Sequence, residues 1–304
     1  MRLELGINTC FAVKRWPTPA DWAPIVRDRL GLRLVQHSLD LVDFTADRLA
    51  EQADEVRDAI AANGLALHST FTGLAAYSAN LLLAPQAAER ESALAWYRSA
   101  IGFTALVGGR ATGGHVGAFS VPDWRDPDRR RARWQDLQRD LGELAADARA
   151  AGLEYLVVEN LAAAREPSTM AMISELLEEG DATRVPIRLC LDVGHMVVPG
   201  TDGPDRDPYA WLSTLGPTAP VIQLQQSDEG GDHHWPFTTA MNAIGRIEAD
   251  RVIDALGEGG VEESALVLEV IPAFEQDDDA VLDDLVSSVE YWRDALARRG
   301  VLAD

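Results

Sequence analysis

The stretch Arg188-Leu-Cys-Leu-Asp-Val-Gly-His195 decides the fold. Leu189, Cys190 and Leu191 are apolar in succession, as a strand buried on both faces requires, and the run stops on a carboxylate, Asp192. The same form recurs at Tyr155-Leu-Val-Val-Glu159 and Ala265-Leu-Val-Leu-Glu269. Further short runs stand at Leu3–Ile7, Leu32–Gln36, Leu65–His68, Pro220–Gln225 and, more weakly, Ala111–His115. Between the runs lie stretches with helical spacing: Ala20–Arg29, Ala46–Ala62, Ala87–Val107, Arg129–Ala151, Ser168–Glu178, Pro208–Leu215, Ile247–Leu256 and Asp277–Arg299. Thr45 before Ala46 and Ser168 after Pro167 are expected caps, and Gly152 and Gly259 are expected to close helices.

Eight strand-plus-helix units in 304 residues, with no linker rich in Gly, Pro and Ser, predict an α/β fold: one (β/α)8 TIM barrel domain spanning residues 1–304. An open doubly wound sheet is the alternative. Asn-Thr-Cys-Phe-Ala-Val-Lys follows Ile7 in place of a glycine-rich fingerprint, which sets a nicotinamide cofactor aside.

With 27 Lys+Arg against 49 Asp+Glu, the formal charge is -22, which leaves no basic surface for a phosphate backbone and argues against a nucleic-acid partner. The basic run Arg125–Arg133 is interleaved with Asp126 and Asp128 at a helix start, and reads as a solvated face or a subunit contact. The two cysteines, Cys10 and Cys190, sit in apolar runs and read as buried thiols. No leader pattern and no apolar run near 18 residues appears. The expectation is therefore a cytoplasmic protein without a membrane partner, and its Ala-rich helices suit a homo-oligomer.

In such a barrel the active site forms at the carboxyl ends of the strands. All six histidines fall there in the expected layout: His37 and His68 on the second and third units, His115 on the fourth, His195 after the sixth, and His233 and His234 after the seventh. Glu159, Asp192 and Glu269 each close a buried run. Three carboxylates converging on one rim repel one another and raise each other's pKa unless a divalent metal holds them. Lys14, the single lysine of the chain, and Arg15 follow the first strand on the same rim. Lys14 is a candidate for a substrate phosphate or terminal hydroxyl, with Trp16 closing over it.

The Glu159 strand end, Leu191-Asp-Val-Gly-His195, Ser227-Asp228 with Asp232 and His234 beyond, and the Glu269 strand end resemble the xylose-isomerase-like barrel superfamily. That group includes ketose 3-epimerases, hydroxypyruvate isomerase, inosose dehydratase and the endonuclease IV repair enzymes. Leu5-Gly-Ile-Asn-Thr-Cys-Phe-Ala-Val-Lys-Arg-Trp16 and Gln223-Leu-Gln-Gln-Ser-Asp228, followed by Asp232-His-His-Trp-Pro-Phe237, are most similar to the erythrulose-phosphate epimerases. The resemblance implies a metal held by Glu159, Asp192, a strand-seven ligand and Glu269. Members of the epimerase branch usually place His where this chain has Gln225. A Gln oxygen favours Mn2+ or Mg2+, with Zn2+ or Co2+ still admitted. Alternatively the ligand has moved to His234 or Asp232, or the metal site has been lost.

Inverting or isomerising a carbon beside a carbonyl requires removal of a weakly acidic C–H proton, which a polarised carbonyl makes feasible through an enediolate. Two carboxylates on opposite faces can take the proton from one side and return it to the other. Glu159 and Glu269 fit that acid–base pair, while Lys14, His68, His115, His195 and His234 are the candidate substrate contacts. The expected substrate is a small ketose or ketose phosphate, such as the tetrulose L-erythrulose 1-phosphate. The alternatives are a hydrolase or lyase on the same barrel, abasic-site nuclease-like or deglycosidase, and a non-catalytic sugar-binding barrel.

Overall fold

A computed structural model describes residues 1–45 and 47–303. Eight parallel strands close into a barrel in chain order: β1 (Arg2–Asn8), β2 (Leu34–Ser38), β3 (Ala66–Phe71), β4 (Ala111–Gly114), β5 (Tyr155–Glu159), β6 (Ile187–Asp192), β7 (Val221–Leu224) and β8 (Glu263–Leu268). Closure is made by β8 on β1, with Arg2 opposite Glu263 through Ile7 opposite Leu268. Around the strands lie α1 (Pro19–Pro24), α2 (Leu49–Ala62), α3 (Ala87–Val107), α4 (Val121–Arg125), α5 (Pro127–Ala151), α6 (Met170–Leu176), α7 (Pro208–Leu215), α8 (Thr239–Asn242), α9 (Ala249–Glu258) and α10 (Asp278–Arg299). No helix among the described residues is long and apolar enough to cross a membrane.

The continuous apolar runs are explained by strands covered on both faces. Leu189, Leu191, Ile222, Leu224, Leu266 and Leu268 belong to the layer shared with the helices, and every one is buried. The residues between them, Cys190, Val221, Ala265 and Val267, join Leu34, Phe71, Ala111, Tyr155 and Val157 in a separate cluster inside the barrel. This two-residue period carries the inward series Tyr155, Val157, Glu159 and Ala265, Val267, Glu269 up to the carboxyl rim.

Several local expectations are corrected. The expected helix start at Ala46 lies outside the described residues, and Thr45 is no cap: α2 begins at Leu49, while Thr45 donates to Asp43 Oδ1 from its backbone N and its hydroxyl. Thr169, not Ser168, caps α6 by accepting from Met172 N. Gly152 does close α5 in the left-handed conformation, at φ 86°. Strand β3 was expected to end at His68 but continues to Phe71. Its polar residues are accommodated in a buried strand because they are paired: Thr70 Oγ1 bonds the hydroxyls of Thr104, on α3, and Thr112 at 2.6 and 2.7 Å.

His37 faces the helix layer rather than the rim, since β2 turns it between the rings of Trp22 and Phe103, at 5.5 and 6.1 Å. Burial lowers its pKa from 6.5 to about 4, so the folded protein holds the ring neutral. The unfolded chain then binds more protons between these values, and this part of the stability is present above the upper value and lost as pH falls toward the lower one. Thermal melts between about pH 7 and about pH 4.5 should show a falling Tm. His37→Phe, which keeps the ring but cannot titrate, should flatten that slope; an unchanged slope would refute the assignment.

Candidate active site

Three buried carboxylates meet at the carboxyl end of the barrel. Glu159 ends β5, Asp192 ends β6 and Glu269 follows β8, and one oxygen from each lies within 4.8 Å of the others. Asp192 is fixed by its own loop. Its Oδ1 accepts from Gly194 N at 2.6 Å and from Gln225 Nε2 at 3.1 Å, which leaves Oδ2 buried without a hydrogen-bond partner. Asn160, next to Glu159, braces the same residue by bonding both the backbone N and the backbone O of Asp192 at 2.9 Å.

Two histidines face this trio. His195 Nδ1 donates to Asn160 O at 2.6 Å and His234 Nδ1 to Glu269 O at 3.1 Å, so each turns Nε2 toward Asp232, 3.3 Å away in both cases. An imidazole whose second nitrogen is tied to a backbone carbonyl is oriented as a metal-bound histidine is. Two groups can therefore hold a cation, Glu159–Asp192–Glu269 and Asp192–His195–His234, with Asp192 in both. Asp192 Oδ2 and His195 Nε2, buried atoms that make no hydrogen bond among the described residues, fit such an ion, and the oxygen-rich trio suits a hard divalent metal.

The electrostatics show what the bare protein does with this charge. Burial lifts the Glu159 carboxyl well above the usual range; His195 opposes the shift, and Glu269 and Asp192 add to it. Glu269 is raised to about 8, again chiefly by burial, with His234 opposing. Burial works against protonated His234, yet Asp232 and Glu269 outweigh it and push the ring up to about 9. Glu159 and Glu269 drift toward neutral and His195 and His234 toward cationic, so protons supply the compensation a divalent ion can supply instead.

Under the carboxylates lies a floor of amides. Gln36 Oε1 accepts from Asn8 Nδ2 at 2.9 Å and Gln223 Nε2 at 3.0 Å, and both donors also reach Glu269 Oε1, at 3.2 and 3.0 Å. Above, Tyr77 Oη from the loop after β3 lies 3.3 Å from each oxygen of Glu159. Asn8 and Gln36 stand at the ends of apolar runs, within reach of the rule that selected the histidines and acids, whereas Gln223 lies inside its strand. Tyr77 had no such signal, standing in the apolar loop Leu74-Ala-Ala-Tyr-Ser-Ala79.

The remaining expected site residues separate. His115 is buried at the end of β4, accepting from Gly117 N at 3.1 Å and placing Nε2 3.3 Å from Glu166 Oε1. His68 is corrected: it stands at the opposite end of the barrel, 3.3 Å from the hydroxyl of Tyr155, the first residue of β5. It lines a cavity of about 210 Å³ there with Glu4, Arg110 and Glu263. The reason is the length of β3, which reaches the rim three residues beyond His68. Gln225 turns its amide NH2, not its oxygen, toward the acids. Its Oε1 accepts from His234 N at 2.6 Å, an unambiguous donor, and so the NH2 end faces Asp192 and Asp232. Lys14 is exposed on the rim at φ 65°, with Nζ 4.0 Å from the Phe274 ring centroid. Trp16 packs near Phe11 against the core, not over Lys14.

A family model described as xylose isomerase-like TIM barrel matches residues 28–295. Over 301 residues the chain is 29% identical to D-erythrulose 1-phosphate 3-epimerase of Brucella abortus (strain 2308), covering 96% of each. A crystal structure of a protein from Rhodospirillum rubrum ATCC 11170, provisionally called a xylose isomerase, superposes with a TM-score of 0.88 at 34% identity, covering 96% of this chain and 99% of that one. D-psicose 3-epimerase of Clostridium cellulolyticum H10, solved with D-tagatose, shares the fold at a TM-score of 0.70 and 16% identity, over 96% and 99% of the two chains.

Gly194 tests how tightly Gln225 is set. A Cβ at this position would lie 2.3 Å from Gln225 Cδ, so Gly194→Ala must expel the amide from between Asp192 and Asp232. The expected result is a loss of about 1–3 kcal/mol of stability, together with weaker metal retention measured by elemental analysis after desalting. A variant as stable and metal-rich as the parent would show that Gln225 is not a fixed part of the site.

Proposed function

The chain belongs to the xylose isomerase-like TIM barrel family, and on that premise we propose that it is a metal-dependent epimerase inverting the carbon next to the carbonyl of a short ketose. The observation that carries this reading is the meeting of Glu159, Asp192 and Glu269, three buried carboxylates, at the end of the barrel where substrates enter. Glu159 and Glu269 stand on strands three apart around the ring, so a substrate between them would offer each a different face. Burial raises both carboxyls, Glu269 to about 8, which makes each a better proton acceptor than an ordinary carboxylate. Asp192, His195 and His234 would orient the substrate oxygens, or, with Glu159 and Glu269, hold the ion. A bound divalent cation would polarise the ketose carbonyl and stabilise the neighbouring negative charge; Mn2+ or Mg2+ suits the three carboxylates best.

The substrate class we propose is a tetrulose phosphate, a choice supported by the relative named for erythrulose 1-phosphate. Lys14 supports this reading. It is exposed on the rim, and its one recorded partner among the described residues is an aromatic ring rather than a carboxylate, which leaves its charge for a phosphate in a protein of net charge -22.

Deuterium wash-in from solvent beside the carbonyl of erythrulose 1-phosphate and of free erythrulose is the direct test. Wash-in should vanish on chelation and return with Mn2+ or Mg2+. Glu159→Gln and Glu269→Gln should each lower kcat by about a hundred- to ten-thousandfold. The absence of wash-in from every ketose with every metal would sink the proposal. Lys14→Met should raise KM for the phosphate ester about tenfold or more, with little change for the free sugar; equal changes for both would remove Lys14 from phosphate recognition.

A further inference from the structure

Glu159 and Glu269 are supported in different ways. Glu269 is held from below by Asn8 and Gln223, two side chains fixed on barrel strands and cross-tied through Gln36. Glu159 has no such amide among the described residues. Its side-chain hydrogen bonds come from one phenol, that of Tyr77, which reaches both of its oxygens.

Tyr77 is carried by the 3-10 turn Leu74–Ser78, and that turn is attached to the loop after β2 by a single carboxylate. Asp40 accepts from Leu74 N at 2.6 Å and from Ala75 N at 3.2 Å. The approach is open only because residue 73 is glycine, since a Cβ there would lie 2.1 Å from Asp40 Cγ. Leu74 and Tyr77 remain 37% and 38% exposed, so the outer side of the turn faces solvent while the phenol points inward. The Tyr77 ring also stands edge-on to His115, with centroids 4.5 Å apart, which fixes the direction of the hydroxyl independently of Glu159.

We propose that Tyr77 is a positioning residue for Glu159, so that the two halves of the proton transfer depend on different parts of the protein: Glu159 on a tethered loop, Glu269 on the barrel floor. The inference rests on the epimerase reading. With one epimer, the Glu159 carboxylate takes the C–H proton and becomes the acid, the C–H electron pair passes into the enediolate, and Glu269 as the acid gives its proton to the opposite face. The other epimer reverses the roles. The phenol donates to whichever oxygen of Glu159 is not exchanging the proton, and so aims the other at the carbon.

Removing the phenol slows only the Glu159 half. The equilibrium constant requires kcat/KM to fall equally in both directions, but the fate of the enediolate need not change equally. An enediolate formed by Glu269 returns more often to its starting epimer, whereas one formed by Glu159 returns less often. Tyr77→Phe, which keeps the ring on His115, is therefore assayed in deuterated water from each epimer of erythrulose 1-phosphate. Deuterium in recovered substrate is measured relative to deuterium in product. We expect kcat to fall about ten- to a hundredfold with KM within about twofold, Tm unchanged, and the two deuterium ratios to move in opposite directions. Asp40→Asn, which weakens the tether without touching Glu159, should show the same divergence to a smaller extent, and it carries the test if Tyr77→Phe lowers Tm. Ratios that move together, or an unaltered kcat, would overturn the role of Tyr77 while leaving the epimerase reading intact. A parent enzyme without wash-in would overturn both.

Discussion

Three carboxylates buried at one point constrain the whole molecule. Glu159, Asp192 and Glu269 cannot all be ionised in a dry barrel end without positive charge beside them. The protein answers with His195 and His234, each tied by Nδ1 to a backbone carbonyl so that Nε2 faces the acids. It answers also with neutral donors: the Gly194 amide and Gln225 on Asp192, Asn8 and Gln223 on Glu269, and Tyr77 on Glu159. The glycine at 194 and the backbone bonds of Asn160 serve the same end, because a donor displaced by an ångström leaves a charge uncompensated.

The barrel was legible because its strands are covered on both faces and therefore leave unbroken apolar runs, and because each of the three clustered acids terminates such a run. Asp192-Val-Gly-His195 was legible for a further reason: Asp192 Oδ1 closes a short turn onto Gly194 N, so its geometry is local in sequence. Where a position depended on partners from other elements, the sequence misled. His68 looked like a strand end because Ser69 and Thr70 are polar, and only the hydroxyls of Thr104 and Thr112 make it favourable for β3 to run on. Gln225 matched a ligand position, and the orientation of its amide was decided by the backbone of His234, nine residues away. Tyr77 acts over 82 residues of separation from a loop without polar pattern, and nothing local announces it.

Gln225 also gives the departure from the ketose-epimerase pattern a physical meaning. Its amide donates to Asp192 and Asp232 and its oxygen accepts from the His234 backbone, so one side chain at the head of β7 sets the loop that carries Asp232 and His234. The imidazole absent from the strand is present on the loop beyond it, facing the same carboxylates. The charge cluster is thus completed from the loop after β7, by Asp232 and His234.

The amide floor has a consequence for how this barrel can change over time. Asn8, Gln36 and Gln223 link β1, β2 and β7 with Glu269 beneath the rim, and the one bond recorded from these side chains to a segment beyond a strand end, among the described residues, is Asn8 Oδ1 accepting from Cys10 N in the turn after β1. Loops other than those after β1 and β7, which bond Asn8 and Glu269, can therefore be lengthened, shortened or exchanged while the side-chain support of that acid stays in place. On the epimerase reading proposed above, such a scaffold can take new sugar preferences by replacing those loops, with the support of Glu269 supplied from below.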